Sequence, residues 1–225
     1  MNNVAIYHRS AAVRAYDKDK IFPAEEKLFA EFLKPGMRIL DLGCGAGRTT
    51  GYLKNFDPNV HGADVSAAMI EKAKERFPEI QFSVMDAAQL GFADGMFDAI
   101  VFSFNGLDYL YPVDRRAAAL AEIRRVLKPG GVFIFSSHNS QMLPLSRPRL
   151  KDFLFNVFTG RIFMRYRIDH QAYGPLTTYF GSIDRQVREL HAHGFQVLEM
   201  TSNKYQSGWR MRFLTSYVYY AARKR

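Results

Sequence analysis

A group of three closely spaced glycines beside an aspartate is the stretch of this chain best suited to chemistry. Residues 39–50 read ILDLGCGAGRTT, so a short apolar run breaks into glycines at alternate positions from Gly43 to Gly47. Glycine lacks a Cβ and tolerates positive φ, so a turn of this kind lets a ligand lie against main-chain N–H groups. The sequence therefore predicts a ligand bound by backbone at the end of a buried strand.

The spacing of the glycines distinguishes between the classes of ligand that such turns bind. A dinucleotide site favours G-x-G-x-x-G, and here Arg48 stands where the third glycine would be. What stands instead is Asp41-x-Gly43-x-Gly45-x-Gly47, which resembles the first motif of the class I S-adenosylmethionine-dependent methyltransferases. The resemblance implies S-adenosylmethionine (SAM) as cofactor and S-adenosylhomocysteine as product. Gly43 and Gly45 would then lie against the amino-acid end of SAM, with Asp41 orienting the turn or an ordered water.

Two further acids follow strands downstream of the glycine turn. Asp64 lies 23 residues beyond Asp41, the spacing expected for a carboxylate at the tip of the neighbouring strand, where it can accept hydrogen bonds from both ribose hydroxyls. Asp86 follows the third strand, and the resemblance implies that it binds the adenine amino group while the N–H of Ala87 meets the ring. The resemblance also assigns to the cofactor site Cys44, Val65, Met69, Ser103 and Phe104.

An α/β sheet is needed to bring these residues together. Alternating apolar runs and helical patterns, with the resemblance, predict a doubly wound, Rossmann-like sheet of seven mostly parallel strands whose last strand is antiparallel. Strand order should reverse between the first and fourth strands, where open sheets bind ligands. The chain is expected to be one domain: an N-terminal helical cap (1–35), a SAM-binding core (36–138), an α+β insertion over the active site (139–181), and the last helix and strands (182–225).

Two element bounds within the core matter for the site. A helix is predicted over 48–56, directly after the glycine turn, and a fifth strand over 132–136. The run from Phe97 to Phe104 resembles the fourth strand of the family, so its exit should lie beside the methyl group of SAM.

Residues around that exit are the candidates for meeting a methyl acceptor. Displacement at a sulfonium methyl needs alignment and exclusion of water, so no metal site is expected. His138, at the tip of the fifth strand, is the candidate general base, with a purely structural role as the alternative. Candidates for contacts with the acceptor are Tyr7, Tyr16, Asn105, Tyr109, Asn139 and Arg165.

Composition and charge restrict the cellular compartment and the kinds of partner that can be expected for this protein. The single cysteine among 225 residues gives no disulfide framework, and neither a signal-peptide core nor a membrane-length apolar run is recognisable, so a cytoplasmic protein is expected. Net charge is +9, and from Asn139 onward 14 Lys and Arg residues face five Asp and Glu residues. Such a segment can attract nucleic acid, an anionic lipid surface or an anionic substrate, or be a solvated face without a partner.

The sequence therefore predicts a SAM-dependent methyltransferase that acts on an O or N nucleophile of a small-molecule acceptor, for which a negative charge is an option. A nucleic-acid methyltransferase is one alternative, although the fourth strand exits as Ser103-Phe104-Asn105-Gly106 without the Asn/Asp-Pro-Pro-Tyr of amino-methylating nucleic-acid enzymes. A non-catalytic SAM-binding protein is the other alternative. The oligomeric state is left open.

Overall fold

A computed structural model gives the fold for residues 3, 6, 20–143, 147–160, 164–171 and 174–225. The described residues form nine strands: β1 (Ile39–Leu42), β2 (His61–Asp64), β3 (Gln81–Val84), β4 (Phe97–Phe102), β5 (Leu127–His138), β6 (Tyr166–Gln171), β7 (Gly174–Tyr179), β8 (Phe195–Thr201) and β9 (Tyr217–Lys224). The helices after residue 20 are α1 (Pro23–Phe32), α2 (Thr50–Leu53), α3 (Ala67–Arg76), α4 (Val113–Val126), α5 (Arg147–Phe158), α6 (Ile183–Ala192) and α7 (Gly208–Leu214), with a 3-10 turn at Gly106–Tyr109.

Seven of the strands form one sheet in the order β3-β2-β1-β4-β5-β9-β8. Parallel pairing runs from β3 to β5, with Leu40 of β1 opposite His61 of β2 and Ile100 of β4. The last strand, β9, is antiparallel to both of its neighbours. The predicted doubly wound sheet is thus confirmed, and strand order reverses between β1 and β4 as expected.

Helices cover both faces of this sheet because its strands are apolar on both sides. One face packs against α1, α2 and α3 through buried residues such as Phe29, Leu53 and Ile70. The other face packs against α4, α6 and α7 through residues such as Leu120 and Leu190. The short strand β1 is buried along its whole length, so its carboxyl end can hold a glycine turn in a fixed place.

The segment after β5 folds as a helix followed by a hairpin. Strands β6 and β7 form a separate two-stranded antiparallel sheet in which Tyr166 pairs with Tyr179. Helix α5 is joined to β6 by the buried Asn156, whose amide donates to the carbonyl of Ile168 at 3.1 Å and accepts from its N–H at 3.3 Å. This segment therefore forms a small α+β unit with a sheet separate from the main one.

Several predicted bounds were wrong. The helix predicted over 48–56 is regular only over Thr50–Leu53, because the turn geometry of the glycine stretch continues as far as Thr49. Strand β5 begins at Leu127 rather than at 132, since Leu127 already pairs with Phe97 before a register shift. The 3-10 turn and α7 are short elements that the sequence pattern did not reveal. Among the described residues no helix is both long and apolar enough to cross a bilayer.

Candidate functional site

The carboxyl ends of β1, β2 and β4 open into one cavity of about 430 Å3, a size typical of small-molecule sites. Most of its wall comes from the segments that follow these strands. The described residues that line it are Asn3, Leu42, Gly43, Cys44, Gly45, Arg48, Thr49, Asp64, Val65, Met69, Met85, Asp86, Ala87, Phe102, Ser103, Phe104, Gly106, Tyr109, Leu110, Tyr111 and Arg115.

The glycine turn forms one wall of this cavity with its backbone. Gly43 and Gly45 have φ of 64° and 55°, values in the left-handed region that favours glycine. A Cβ on Gly43 would also come within 2.5 Å of the Phe102 ring. The N–H of Cys44 donates to the carbonyl of Ala63 in β2 at 3.1 Å, so the turn is fixed to the neighbouring strand.

Asp41 supports the turn from below and does not reach the cavity wall. Its fully buried carboxylate accepts hydrogen bonds from the hydroxyls of Thr49 and Thr50 at 2.8 and 2.6 Å. Burial raises the pKa of Asp41 to about 6, although the bonds from Thr50 and Thr49 lower it. Burial also raises the pKa of the Cys44 thiol, which keeps this cysteine protonated and unreactive.

Arg48 connects the same turn to the N-terminal helix. Its guanidinium donates to both carboxylate oxygens of Glu25, each at 2.7 Å, and the two side chains are almost fully buried. The guanidinium also lies 5.2 Å from the ring centre of Phe22 and 5.5 Å from that of Phe104. Arg48, the residue that departs from the dinucleotide pattern, therefore holds α1 and the end of β4 against the glycine turn.

Two carboxylates stand at neighbouring strand ends on the cavity wall. Asp64 accepts from the N–H of Gly45 at 3.0 Å and from that of Ser66 at 2.8 Å. Asp86 accepts from the N–H of Ala88 at 2.9 Å and forms an ion pair with Arg115. Both acids are thus held by backbone donors with their oxygens at the wall.

The exit of β4 is strained where it enters the cavity. Phe104 and Asn105 are consecutive non-glycine residues with φ of 54° and 60°, a conformation that costs free energy and is found at functional sites. The N–H of Asn105 donates to the Ser136 hydroxyl of β5 at 2.9 Å, which holds the turn. This conformation puts the Phe104 ring on the wall.

Tyr109, Leu110 and Tyr111, at the end of the 3-10 turn and directly after it, form another part of the cavity wall. The amide of Asn3 donates to the carbonyls of Tyr109 and Thr177 at 2.8 and 2.7 Å, tying this wall to β7. The Tyr166 hydroxyl of β6 donates to the carbonyl of Leu110 at 2.7 Å. This side of the cavity is therefore built by chain segments that are far apart in sequence.

A buried charged cluster lies behind that wall. Asp108 accepts from Arg116 at 2.8 Å, from the N–H of His138 at 2.6 Å and from His138 Nδ1 at 2.9 Å. Arg116 also contacts Glu189 of α6 at 3.1 Å, and its guanidinium lies 4.1 Å from the ring centre of Tyr179. Burial alone would lower the pKa of Arg116, but the charges of Asp108 and Glu189 raise it above its ordinary value. The cluster joins the 3-10 turn, β5, β7 and α6.

The predicted site residues fall into two groups. All residues predicted for the cofactor line the cavity except Asp41, and among the acceptor candidates Tyr109 does so too. His138 and Asn105 are buried behind the wall. Asn139 is buried as well, with its amide donating to the carbonyls of Arg212 and Thr215; Arg165 is exposed to solvent away from the wall. Tyr7 and Tyr16 lie outside the described residues.

Several lining residues were missed by sequence reasoning. Leu110 and Tyr111 directly follow the predicted Tyr109, so adjacency could have suggested them. Arg115 reaches the wall from the first turn of α4 and carries no motif that would mark it. Asn3 contacts Thr177, 174 residues away, and no local pattern signals such a contact.

Comparison with known proteins shows which families this chain is similar to. A family model described as methyltransferase domain matches residues 39–131. A demethylmenaquinone methyltransferase of Beutenbergia cavernae is 37% identical over 48% of this chain, and the match spans only 43% of that relative's length. An uncharacterized methyltransferase of Synechocystis sp. is 31% identical over 76% of this chain and 79% of its own. The crystal structure of a SAM-dependent methyltransferase from Methanosarcina mazei shares the fold, with a TM-score of 0.69 and 20% identity over 91% of this chain and 98% of its own.

Proposed function

The chain belongs to the class I SAM-dependent methyltransferases, and from that membership we propose that it methylates a neutral aromatic acceptor bearing a hydroxyl group. The observation that carries the acceptor class is the composition of the wall at the 3-10 turn. Tyr109, Leu110 and Tyr111 give that wall an aromatic and apolar surface, which suits a planar ring.

SAM supplies a methyl group on a positively charged sulfur, a leaving group that needs no further activation. The cradle fits such a ligand, because Gly43 and Gly45 offer backbone without a side chain at one end and two carboxylates stand along the wall. A carboxylate accepts up to about four hydrogen bonds, so ribose hydroxyls can join the two backbone donors at Asp64. At Asp86 an adenine amino group would share the carboxylate with Arg115.

The charges on the wall favour a neutral acceptor over the anionic one that the sequence left open. The cations among the described lining residues are Arg48 and Arg115. Arg48 is paired with Glu25, and Arg115 is paired with Asp86. An anionic acceptor would have to compete with these carboxylates for the guanidinium groups, which is unfavourable at the buried pair of Arg48 and Glu25. The likeness to a demethylmenaquinone methyltransferase supports a quinone-like ring as the acceptor.

We assign to His138 a positioning role rather than direct contact with the acceptor. His138 Nδ1 lies 2.9 Å from the Asp108 carboxylate, and this contact orients the imidazole ring. The imidazole packs edge-on against the Tyr109 ring, with ring centres 5.8 Å apart, and it also contacts Phe180 and Tyr217. In this arrangement His138 holds Tyr109 in place at the wall.

Kinetics of His138→Asn with a methylated acceptor would test this role. Asparagine can keep the hydrogen bond to Asp108 but removes the ring that supports Tyr109, so KM for the acceptor should rise several-fold while the pH profile of kcat keeps its shape. Loss of one limb of the kcat profile would instead make His138 the general base.

Formation of S-adenosylhomocysteine with three acceptors would test the proposed function. A prenylated hydroquinone should be methylated, whereas its dimethyl ether, which has no hydroxyl proton to lose, and a dicarboxylic acid should not react. Loss of the hydroxyl proton to water activates both the oxygen and the ring carbons beside it. Fragmentation of the product in mass spectrometry would identify which of these atoms is methylated. Asp64→Ala, which should bind SAM much more weakly, is the matched control at a SAM concentration that does not saturate it. Turnover of the dicarboxylic acid alone would refute the neutral-acceptor proposal.

A further inference from the structure

Helix α5 shows its apolar side to solvent. Leu150, Phe153, Leu154, Val157 and Phe158 follow the i, i+3, i+4, i+7, i+8 spacing of one helix face, here named the apolar stripe. In a globular protein this face normally packs on the core. The first four residues of the stripe are instead 39 to 44% exposed, and Phe158 is 85% exposed.

The polar Asn156 takes the inward position on the same helix. It is only 4% exposed and forms the two hydrogen bonds to Ile168 that attach α5 to β6. The orientation of the helix is therefore fixed by these bonds, and the apolar stripe is turned outward by the fold. An exposed apolar stripe of this kind marks a surface for a partner.

The charge around the stripe indicates which partner fits. Residues 147–171 contain six Lys and Arg residues against two Asp residues. Lys151 on the helix and Arg165 before β6 are exposed. Pairing of two copies through this face would bring like charges together. An anionic lipid surface offers both an apolar interior for the stripe and negative head groups for the bases.

We infer that α5 docks on the surface of an anionic lipid bilayer, with the apolar stripe inserted at the boundary between head groups and acyl chains. A helix of 12 residues is about 18 Å long, which suffices to lie in the plane of the interface but not to cross it. Docking would also bring the cavity close to the bilayer. Asn156 bonds to β6, and Tyr166 of β6 bonds to Leu110 at the cavity wall.

The inference goes beyond the proposed methyl transfer and rests on a different surface. A docked α5 would give a lipophilic acceptor a short path from the bilayer to the wall at Leu110. The test below contains neither SAM nor acceptor, so its failure and the failure of the proposed function are distinguishable.

Co-sedimentation of the full chain with lipid vesicles tests the inference. Vesicles that contain phosphatidylglycerol mixed with phosphatidylcholine should bind the protein, and binding should weaken with added salt. Vesicles of phosphatidylcholine alone should bind it far less. Leu154→Glu and Phe158→Glu should each reduce binding to the mixed vesicles about tenfold, because each places a charge at the apolar boundary.

Two further variants serve as controls. Phe158→Trp keeps a large aromatic ring and should bind as the unmodified protein does. Val84→Glu changes an exposed apolar residue on the edge strand β3 by the same chemistry and should leave vesicle binding unchanged. Circular dichroism and melting temperature check that each variant is folded.

Three outcomes would overturn the inference. The first is no binding to the mixed vesicles, and the second is equal binding by Phe158→Glu. The third is a dimer in solution, without vesicles, that Phe158→Glu abolishes, since it would assign the apolar stripe to a second copy of the chain.

Discussion

The two sides of the cavity are built in different ways. The cofactor side consists of turns that directly follow neighbouring parallel strands, so Gly43, Asp64 and Asp86 reach the wall through backbone placed by the sheet. The side that we propose for the acceptor, here called the acceptor side, is held by side chains from distant segments, such as Asn3, Tyr166 and Arg116. A side made of local turns has a sequence motif, whereas a side made of distant contacts has none. Substitutions on each side should therefore have separable effects.

The largest effect is expected on the acceptor side. Arg116→Met should lower the free energy of unfolding by about 3–5 kcal/mol, because it leaves the buried Asp108 and the partly buried Glu189 without their cation. Affinity for SAM, measured under conditions where the variant is folded, should change less than about threefold. Denaturant unfolding measures the first quantity and calorimetry the second. Arg188→Met, at an exposed position of α6, is the control. If Arg116→Met lowered the free energy of unfolding by less than about 1 kcal/mol, the cluster of Asp108, Arg116 and Glu189 would not be the main support of this side.

The next effect concerns the cofactor side alone. Asp64→Ala should weaken SAM binding about 100-fold, since two charge-assisted hydrogen bonds to ribose would be lost. The melting temperature should fall only slightly, although the bonds to Gly45 and Ser66 are also removed. Asp64→Asn retains one acceptor oxygen and should give an intermediate affinity. Calorimetry that finds unchanged affinity for Asp64→Ala would contradict the ribose assignment.

The third effect is a gain in the stability of the protein when Asp41, which supports the glycine turn, is replaced. Burial raises the pKa of Asp41 to about 6, so between about pH 4 and pH 6 the folded state binds more protons than the unfolded state does. The contribution of this group to the free energy of unfolding therefore falls as pH rises through that window and is constant above it. Asp41→Asn should remove this decrease of the free energy of unfolding with pH. The variant should be more stable than the unmodified protein by about 2 kcal/mol at pH 8 and equally stable at pH 4.

Denaturant unfolding at both pH values would measure this difference. Asp114→Asn, an exposed acid in the first turn of α4, controls for the loss of one negative charge. The opposite result would be a stability of Asp41→Asn, relative to the unmodified protein, that falls between pH 4 and pH 8. The charge of the Asp41 carboxylate would then be needed to hold the turn.

Much of the fold and of the cofactor side could be predicted because the signals are local. Apolar runs, glycines and acids at strand ends are adjacent in the chain, so the sheet order and the wall from Gly43 to Phe104 followed from pattern and resemblance. Errors occurred where local pattern is weak. The helix after the glycine turn was predicted too long, and the short α7 was missed.

Tertiary structure alone decided the rest. The sequence by itself determined the doubly wound sheet, the glycine turn and the acids beside it, because strand and turn preferences act over a few residues. It showed Arg48 only as a departure from a dinucleotide motif, and the buried pair with Glu25 required α1 to pack on the turn. It placed His138 at a strand tip, but only packing set that ring behind Tyr109. The spacing of the apolar stripe on α5 would normally indicate a core face, and the two bonds of Asn156 to β6 turn it to solvent.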